Sequence, residues 1–289
     1  MNLIAKSLWR AVIKLSYDGG LAIASNVALS LLLSLFPFLM LLAALVRLYG
    51  DPALATEAID LVLGHWPADS AKPIEATIQT LLQQPPGEFF SVGTFVALLL
   101  ATNGIENARD GLNRAYKVQE TRSFFWRRLQ GAIFVIVGAL GLIGAAFILV
   151  ATPLVWDFLN QRIEWLYRFQ PIATGVQYSL AIAILGIVLY SFHRFLPDVR
   201  YSRRNIVWGI ALTILGILVG SKLFGLYLQN IANYTALYAG LAGMMIAIVY
   251  LYCISVLILF GAEFNTALAE LRKENAQEAQ QTDIEKDDA

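Results

Sequence analysis

The sequence predicts an all-α, polytopic membrane protein with six transmembrane helices. It places the N- and C-termini in the cytoplasm and short amphipathic helices in the first outside loop. Three observations carry this. Of 289 residues, 58% are hydrophobic and only 15% charged, with a mean hydropathy of +0.62; soluble domains average about 25% charged residues. The apolar residues are gathered into runs of membrane length. Lys and Arg, although balanced to zero net charge overall, collect in alternate connections. Such hydrophobicity excludes disorder for most of the chain, and a single cysteine excludes a disulfide scaffold.

The runs show as gaps between charges. Asp18 and Arg47 enclose 28 uncharged residues, Glu88 and Glu106 enclose 17, and Arg128 and Asp157 enclose 28. Arg168 to Arg194 encloses 25, Arg204 to Lys222 encloses 17, and Lys222 to Glu263 encloses 40. A spanning helix needs about 20 apolar residues, so the last gap is too long for one span. Its polar break, Gln229-Asn230-Ile231-Ala232-Asn233-Tyr234-Thr235, reads as an outside loop. Six spans follow, at 24–48, 89–108, 131–155, 172–195, 205–228 and 239–267. The second is short, but Ile105, Ala108, Leu112 and Tyr116 continue it as an amphipathic rod.

The ends and the first loop have their own signatures. Residues 1–18 form a cytoplasmic amphipathic helix, with Lys6, Arg10 and Lys14 on one face and Leu3, Ile4, Leu8, Val12 and Leu15 on the other. It is expected to lie on the anionic inner leaflet through its cations. A signal peptide is rejected, because the apolar run follows Ala22-Ile23-Ala24 instead of preceding it. The membrane domain covers 19–268, and the polar segment 269–289 is expected to be a disordered cytoplasmic tail. In the outside loop 50–88, Asp51-Pro52 caps one short helix and Pro73 starts another, stopped by Pro85-Pro86-Gly87. For orientation, 16 Lys and Arg fall on one side and four on the other, with Lys222 inside a span; the rich side is the cytoplasm.

Four stretches, in order and spacing, then resemble the YihY/BrkB family of bacterial inner-membrane proteins, formerly labelled ribonuclease BN-like. They are SLLLSLFPFLMLL with Pro37, ATNGIENARDGLNRAYKVQETRSFFWRRL after span two, FHRFLPDVR followed by the basic turn and WG, and KLFGLY with YAGLAGMMIAIVYLYCISVLILFGAEFN. The likeness covers residues 10–268, and departs at Thr102-Asn103-Gly104, where small or aromatic residues are more common. It implies a multi-pass protein of the bacterial inner membrane linked to surface resistance and lipid-related phenotypes. It does not supply a reaction.

The residues do not support a nuclease. His65 and His193 fall on opposite sides of the membrane, Cys253 is alone in an apolar helix, and no HExxH, P-loop or dinucleotide fingerprint occurs. No catalytic residue, cofactor or metal site is assigned, and cytoplasmic arginines need no nucleic acid to explain them. Ionisable residues within spans are instead the candidates. Lys222 lies 17 residues beyond Asn205, so about 25 Å along its helix. It either snorkels to outer headgroups or holds an anionic group in a cavity with Ser221 and Tyr227, where Gly220 and Gly225 leave room. Pro37 frees the Leu33 carbonyl and is a candidate hinge lining the same cavity. At the inner end, Asn103, Glu106, Arg109, Arg194, Arg200, Glu263 and Asn265 form a candidate polar cluster. Within it Glu263 pairs with Arg109, Arg194 or Arg200, or serves as a gate. Small residues, including Gly138, Gly141, Gly144, Gly216, Gly220, Ala239, Gly243 and Ala247, read as helix contacts.

The expected function is therefore transport or handling of a lipid, or of another amphipathic or anionic substrate, in a helix-bundle cavity. The alternatives are a scaffold or partner subunit of an envelope complex and, remotely, a ribonuclease. The expected partners are membrane lipids, with an envelope protein or a second copy as further candidates.

Overall fold

The computed structural model describes residues 3–49, 92–141, 170–198, 203–230 and 242–287. Seven helices and no strand occur among the described residues. We number them α1 (Leu3–Tyr17), α2 (Gly20–Tyr49), α3 (Val92–Ala115), α4 (Phe124–Gly141), α5 (Gln170–Phe195), α6 (Arg203–Asn230) and α7 (Ala242–Asp287). Four contain stretches long and apolar enough to cross a membrane: Gly20–Leu41, Phe124–Gly141, Ile206–Leu228 and Met244–Gln281. Helices also stand where the second and fourth spans are expected. However, α3 carries Asn103, Glu106, Asn107, Arg109 and Asp110 along its second half, and α5 has only the shorter apolar stretch Ile182–Phe195. The outside-loop helices expected in 50–88, together with His65, Gly144, Arg200 and Ala239, lie outside the described residues.

Local chemistry sets the corners. Asp18 N–H donates to Lys14 O to close α1, and Gly19 then takes the left-handed conformation at φ +69°. A Cβ on Gly20 would lie 2.6 Å from Leu15 Cδ1, so two glycines make a tight α1–α2 corner. At the end of α3, Lys117 N–H donates to Arg114 O and Val118 N–H to Asn113 O, with Lys117 left-handed at φ 55°. That is a Schellman stop without its usual glycine, and a left-handed residue with a Cβ costs roughly 1–2 kcal/mol. The Lys117 ammonium in turn pairs with Glu270 of α7 at 3.3 Å.

Pro37 sits inside α2 without ending it. Nearby, Ser34 Oγ accepts from Gly104 N–H at 3.0 Å and donates to Leu100 O at 3.3 Å. Gly104 matters here, because a Cβ would approach Leu31 to 3.0 Å. The α2–α3 pair packs on α7 around Val27, Leu112, Tyr116 and Leu259, which form the main core with Leu15 and Leu196. Outward-facing side chains are also apolar, as with Leu33, Val137, Ile187 and Leu215, each 60% or more exposed. In water such a surface would be an aggregation hazard; in a bilayer it is the solvent-compatible face.

The first part of the segment expected to be a tail is helical here, for α7 runs unbroken to Asp287. The composition is polar enough for disorder, but α1 docks on this segment. Arg10 makes a two-pronged ion pair with Glu274 (2.8 and 2.9 Å), and Lys14 pairs with Glu270. These contacts hold the first turns beyond the apolar stretch and bring the two ends of the chain together.

Candidate functional site

Two places hold the residues singled out in the sequence, and they differ in kind. The first is a polar junction, where α3 ends, α4 and α6 begin, α5 ends and α7 leaves the bundle. Arg109 is fully buried, and its guanidinium reaches Glu106 Oε2 at 2.5 Å, Arg127 O at 3.1 Å and Gln130 Oε1 at 3.2 Å. The other Glu106 oxygen pairs with Arg127 at 2.9 Å. Arg128 reaches back to Thr102 Oγ1 (2.7 Å) and Asn103 Oδ1 (2.8 Å), while its guanidinium lies over the Phe124 ring. The unusual Thr102-Asn103-Gly104 thus has a local use: two residues anchor Arg128 and the third admits α2.

Beside this, the α3–α4 connection is pinned to the end of α5. Arg122 donates to both Glu120 oxygens (2.6 and 2.8 Å) and to Leu196 O (2.6 Å). Burial pushes the Glu120 carboxyl up, but hydrogen bonds from Arg122 and Asn113 outweigh it and hold the group below the usual carboxylate range. The Thr121 hydroxyl and backbone N–H donate to Asp198 and, with Arg122 nearby, hold that carboxyl low as well.

A third set locks α3, α5, α6 and α7 together. Asn265 Oδ1 accepts from Gly209 N–H at 2.7 Å, and its Nδ2 donates to Ile206 O and to the Tyr116 hydroxyl, both at 3.2 Å. The Tyr116 hydroxyl shares a 2.7 Å hydrogen bond with His193 Nδ1. Thr266 donates to Ala115 O at 3.0 Å. All this requires α6 and α7 to touch along their backbones: a Cβ on Gly209 would lie 2.1 Å from Gly261 O.

The predicted inner cluster is therefore divided. Asn103, Glu106 and Arg109 join one network, and Asn265 belongs to another. Glu263 is buried on a different face of α7, its Oε2 without a hydrogen-bond partner among the described residues. Arg109 is committed to Glu106 and not to Glu263. Arg194 is half-buried and makes no ion pair among the described residues. Sequence reasoning missed Tyr116, His193, Gly209, Arg122 and Arg127. Gly209 and Gly261 were visible only as parts of WG and FGAEFN, since single glycines give no sign of which partner they face.

The second place is an apolar groove of about 280 Å³ between α6 and α7. Gly220, Ser221, Phe224 and Tyr227 line one wall, and Tyr250, Cys253 and Leu257 the other. A Cβ on Gly220 would meet Leu257 at an ordinary 3.7 Å, so this wall has room for a small side chain. Ser221 Oγ and the Tyr250 hydroxyl hydrogen-bond at 3.0 Å, which gives the apolar walls one polar point. Phe224 packs against both Tyr227 and Tyr250, at 6.2 and 5.3 Å between ring centroids. Ser221 and Tyr227 thus line the groove as the sequence suggests. Lys222 does not: it points outward on the face of Leu218, Val219 and Leu226, all exposed. Pro37 lies in α2, away from this groove, buried beside the contact of α2 with α3. No group of three or more His, Cys, Asp or Glu among the described residues is placed to hold a metal ion.

Comparison with known proteins gives the family. The profile of a family described as Virulence factor BrkB matches residues 11–285. A ribonuclease-like protein, YfkH, of Bacillus subtilis is 26% identical over 86% of this chain and 90% of its own. A UPF0761 membrane protein of Alteromonas mediterranea is 27% identical over 86% of this chain and 82% of its own. The UPF0761 membrane protein YihY of Escherichia fergusonii is 24% identical over 67% and 63%. No solved structure matches. The family profile covers nearly the whole chain, and the protein is a membrane protein of the BrkB/YihY family.

Proposed function

We propose that this protein is a six-span protein of the bacterial inner membrane, with both termini in the cytoplasm, that binds and moves a lipid or another amphipathic, anionic molecule along the α6–α7 groove. The observation that carries the reading is the groove itself. It is narrow, walled by apolar and aromatic side chains, open on the lipid-facing side where Tyr227 and Cys253 are exposed, and marked by one polar pair. About 280 Å³ is just below the usual range of small-molecule sites, about 300–1,000 Å³. That suits part of an acyl chain better than a hydrated solute. Lys222, off the groove on the outward face of α6, can reach a headgroup with its ammonium while its stem covers apolar surface. The six-span count is supported by the alternation of helix ends at the polar junction, and the orientation by the Lys and Arg gathered there.

No reaction is assigned. The ribonuclease-like name of the Bacillus relative finds no support at Glu106, a half-buried carboxylate paired with Arg109 and Arg127, or in any metal-holding group among the described residues. The test uses the full chain in proteoliposomes carrying a fluorescent phospholipid. Exchange between leaflets should exceed that of empty vesicles, and Gly220→Leu, which puts a branched side chain into the groove, should abolish the excess. Exchange that Gly220→Leu leaves unchanged would refute the groove as the path. Incubation of the same protein with RNA should give no cleavage.

A further inference from the structure

The structure turns α1 over. By sequence its cations are the membrane-binding face, yet Arg10 and Lys14 point inward to Glu274 and Glu270 of α7. Ser7, Ala11 and Leu15 are buried against the bundle, where Ala11 meets Phe264 and Leu268. The arc facing away holds Ala5, Trp9, Val12, Ile13, Ser16 and Tyr17, at helical spacings of three and four. Trp9 is 63% exposed and Tyr17 86%. Lys6 is the one charge on that arc and has no ion-pair partner among the described residues.

The same end of the bundle carries further exposed aromatic residues on other helices. Phe124, Phe125 and Trp126 open α4, Phe195 closes α5 and Trp208 lies in the first turns of α6, each more than half exposed. Trp, Tyr and Phe at one level around a bundle mark a headgroup boundary, where a ring with a polar edge is half-solvated. In water, α1 would instead present a bare aromatic stripe.

We propose that α1 is an in-plane interfacial helix that inserts its Trp9, Val12, Ile13 and Tyr17 face into the leaflet at this end of the bundle, while α7 retains its cations. The occupant of the stripe is the boundary between headgroups and acyl chains, not the anionic headgroups themselves. Two of the three basic residues of α1 are already neutralised by carboxylates of the same chain. Anionic lipid therefore has only Lys6 left to attract on this helix. Seating must come from apolar burial, which is insensitive to salt, and not from surface charge, which salt screens. The inference is independent of what the α6–α7 groove carries.

The test places a nitroxide at position 5 or 13 of the full chain, with Cys253→Ser removing the one native thiol, in vesicles of purely zwitterionic lipid. A label at Gln277, exposed on α7 beyond the bundle, serves as the water reference. Accessibility to oxygen relative to a water-soluble nickel chelate is measured at low salt and at about 1 M salt, where the screening length falls to about 3 Å. The expected result is a ratio several-fold higher at 5 and 13 than at 277, unchanged by salt. A ratio at 5 and 13 equal to that at 277 would overturn the proposal, because the stripe would then face water. So would seating that appears only with anionic lipid at low salt, or labels shielded from both reagents, which would mean a protein covers the stripe.

Discussion

The polar junction and the α6–α7 groove are built on opposite principles. At the junction, five helix ends are tied by charge-assisted hydrogen bonds from Arg109, Arg122, Arg127 and Arg128, and by the backbone contact of Gly209 with Gly261. At the groove, α6 and α7 part over Gly220, and one hydrogen bond, Ser221 to Tyr250, crosses between apolar walls. Buried polar networks rigidify where their bonds are made, although Arg109 Nε, Arg127 Nε and His193 Nε2 lack a hydrogen-bond partner among the described residues. The junction is thus suited to be a frame, and the groove a place where a ligand can replace lipid without breaking polar bonds. Of the charges singled out in the sequence, Glu106 and Arg109 belong to the frame, while Glu263 and Lys222 belong to neither place.

That contrast can be broken by mutation. Arg109→Ala should have the largest effect, about 3–5 kcal/mol, because it leaves Glu106 and Gln130 partly unpaired in a buried site. Denaturant unfolding of the purified protein in micelles measures it, and Arg109→Lys should recover only part of the loss, since an ammonium cannot reproduce the forked geometry. Gly209→Ala comes next, at about 1–3 kcal/mol, because its Cβ meets a backbone carbonyl that cannot rotate away. Thermal unfolding should show it, while Gly220→Ala stays near the parent.

Acid should loosen one corner of the frame. Asp198 and Glu120 have folded pKa values below their unfolded ones. Their contribution is therefore fully present above the unfolded values, about 4, and is lost as pH falls through the lower folded values. Between pH 8 and pH 5 these two groups should change nothing; below pH 4 a spin label at position 119, exposed in the same connection, should gain mobility. Neutral Asn at position 198 should flatten that acid response. Smallest of all, Lys222→Met should shift stability by less than about 0.5 kcal/mol, since Lys222 lies on an exposed face. A larger loss would mean that Lys222 has a partner and belongs to the frame.

The sequence made the membrane class legible because apolar runs are a one-dimensional property. Gly20–Leu41, Ile206–Leu228 and the apolar part of α7 fall where the charge gaps put them. It did not show the docking of α7 on α1, because the ion pairs of Glu270 and Glu274 with α1 join residues some 260 positions apart. The same long-range pairing reversed the expected face of α1. In the candidate sites, residue type was informative and partnership was not. Glu106, Arg109 and Asn265 were recognisable as costly residues in an apolar setting, but Glu263 shares their signature and none of their contacts. Ser221 pointed to the groove through its small neighbours. Tyr250 on the opposite wall had no local pattern to reveal it.

The most direct test asks what occupies the groove. A phospholipid with a photoreactive group partway along one acyl chain is incorporated into vesicles with the full chain, irradiated, and its adducts mapped by mass spectrometry. The account predicts adducts concentrated on Ser221, Tyr227, Tyr250 and Cys253, lost when Gly220→Leu fills the space, with few on equally exposed residues of α4 such as Val137. Adducts spread evenly over all lipid-facing helices, and unchanged by Gly220→Leu, would contradict it.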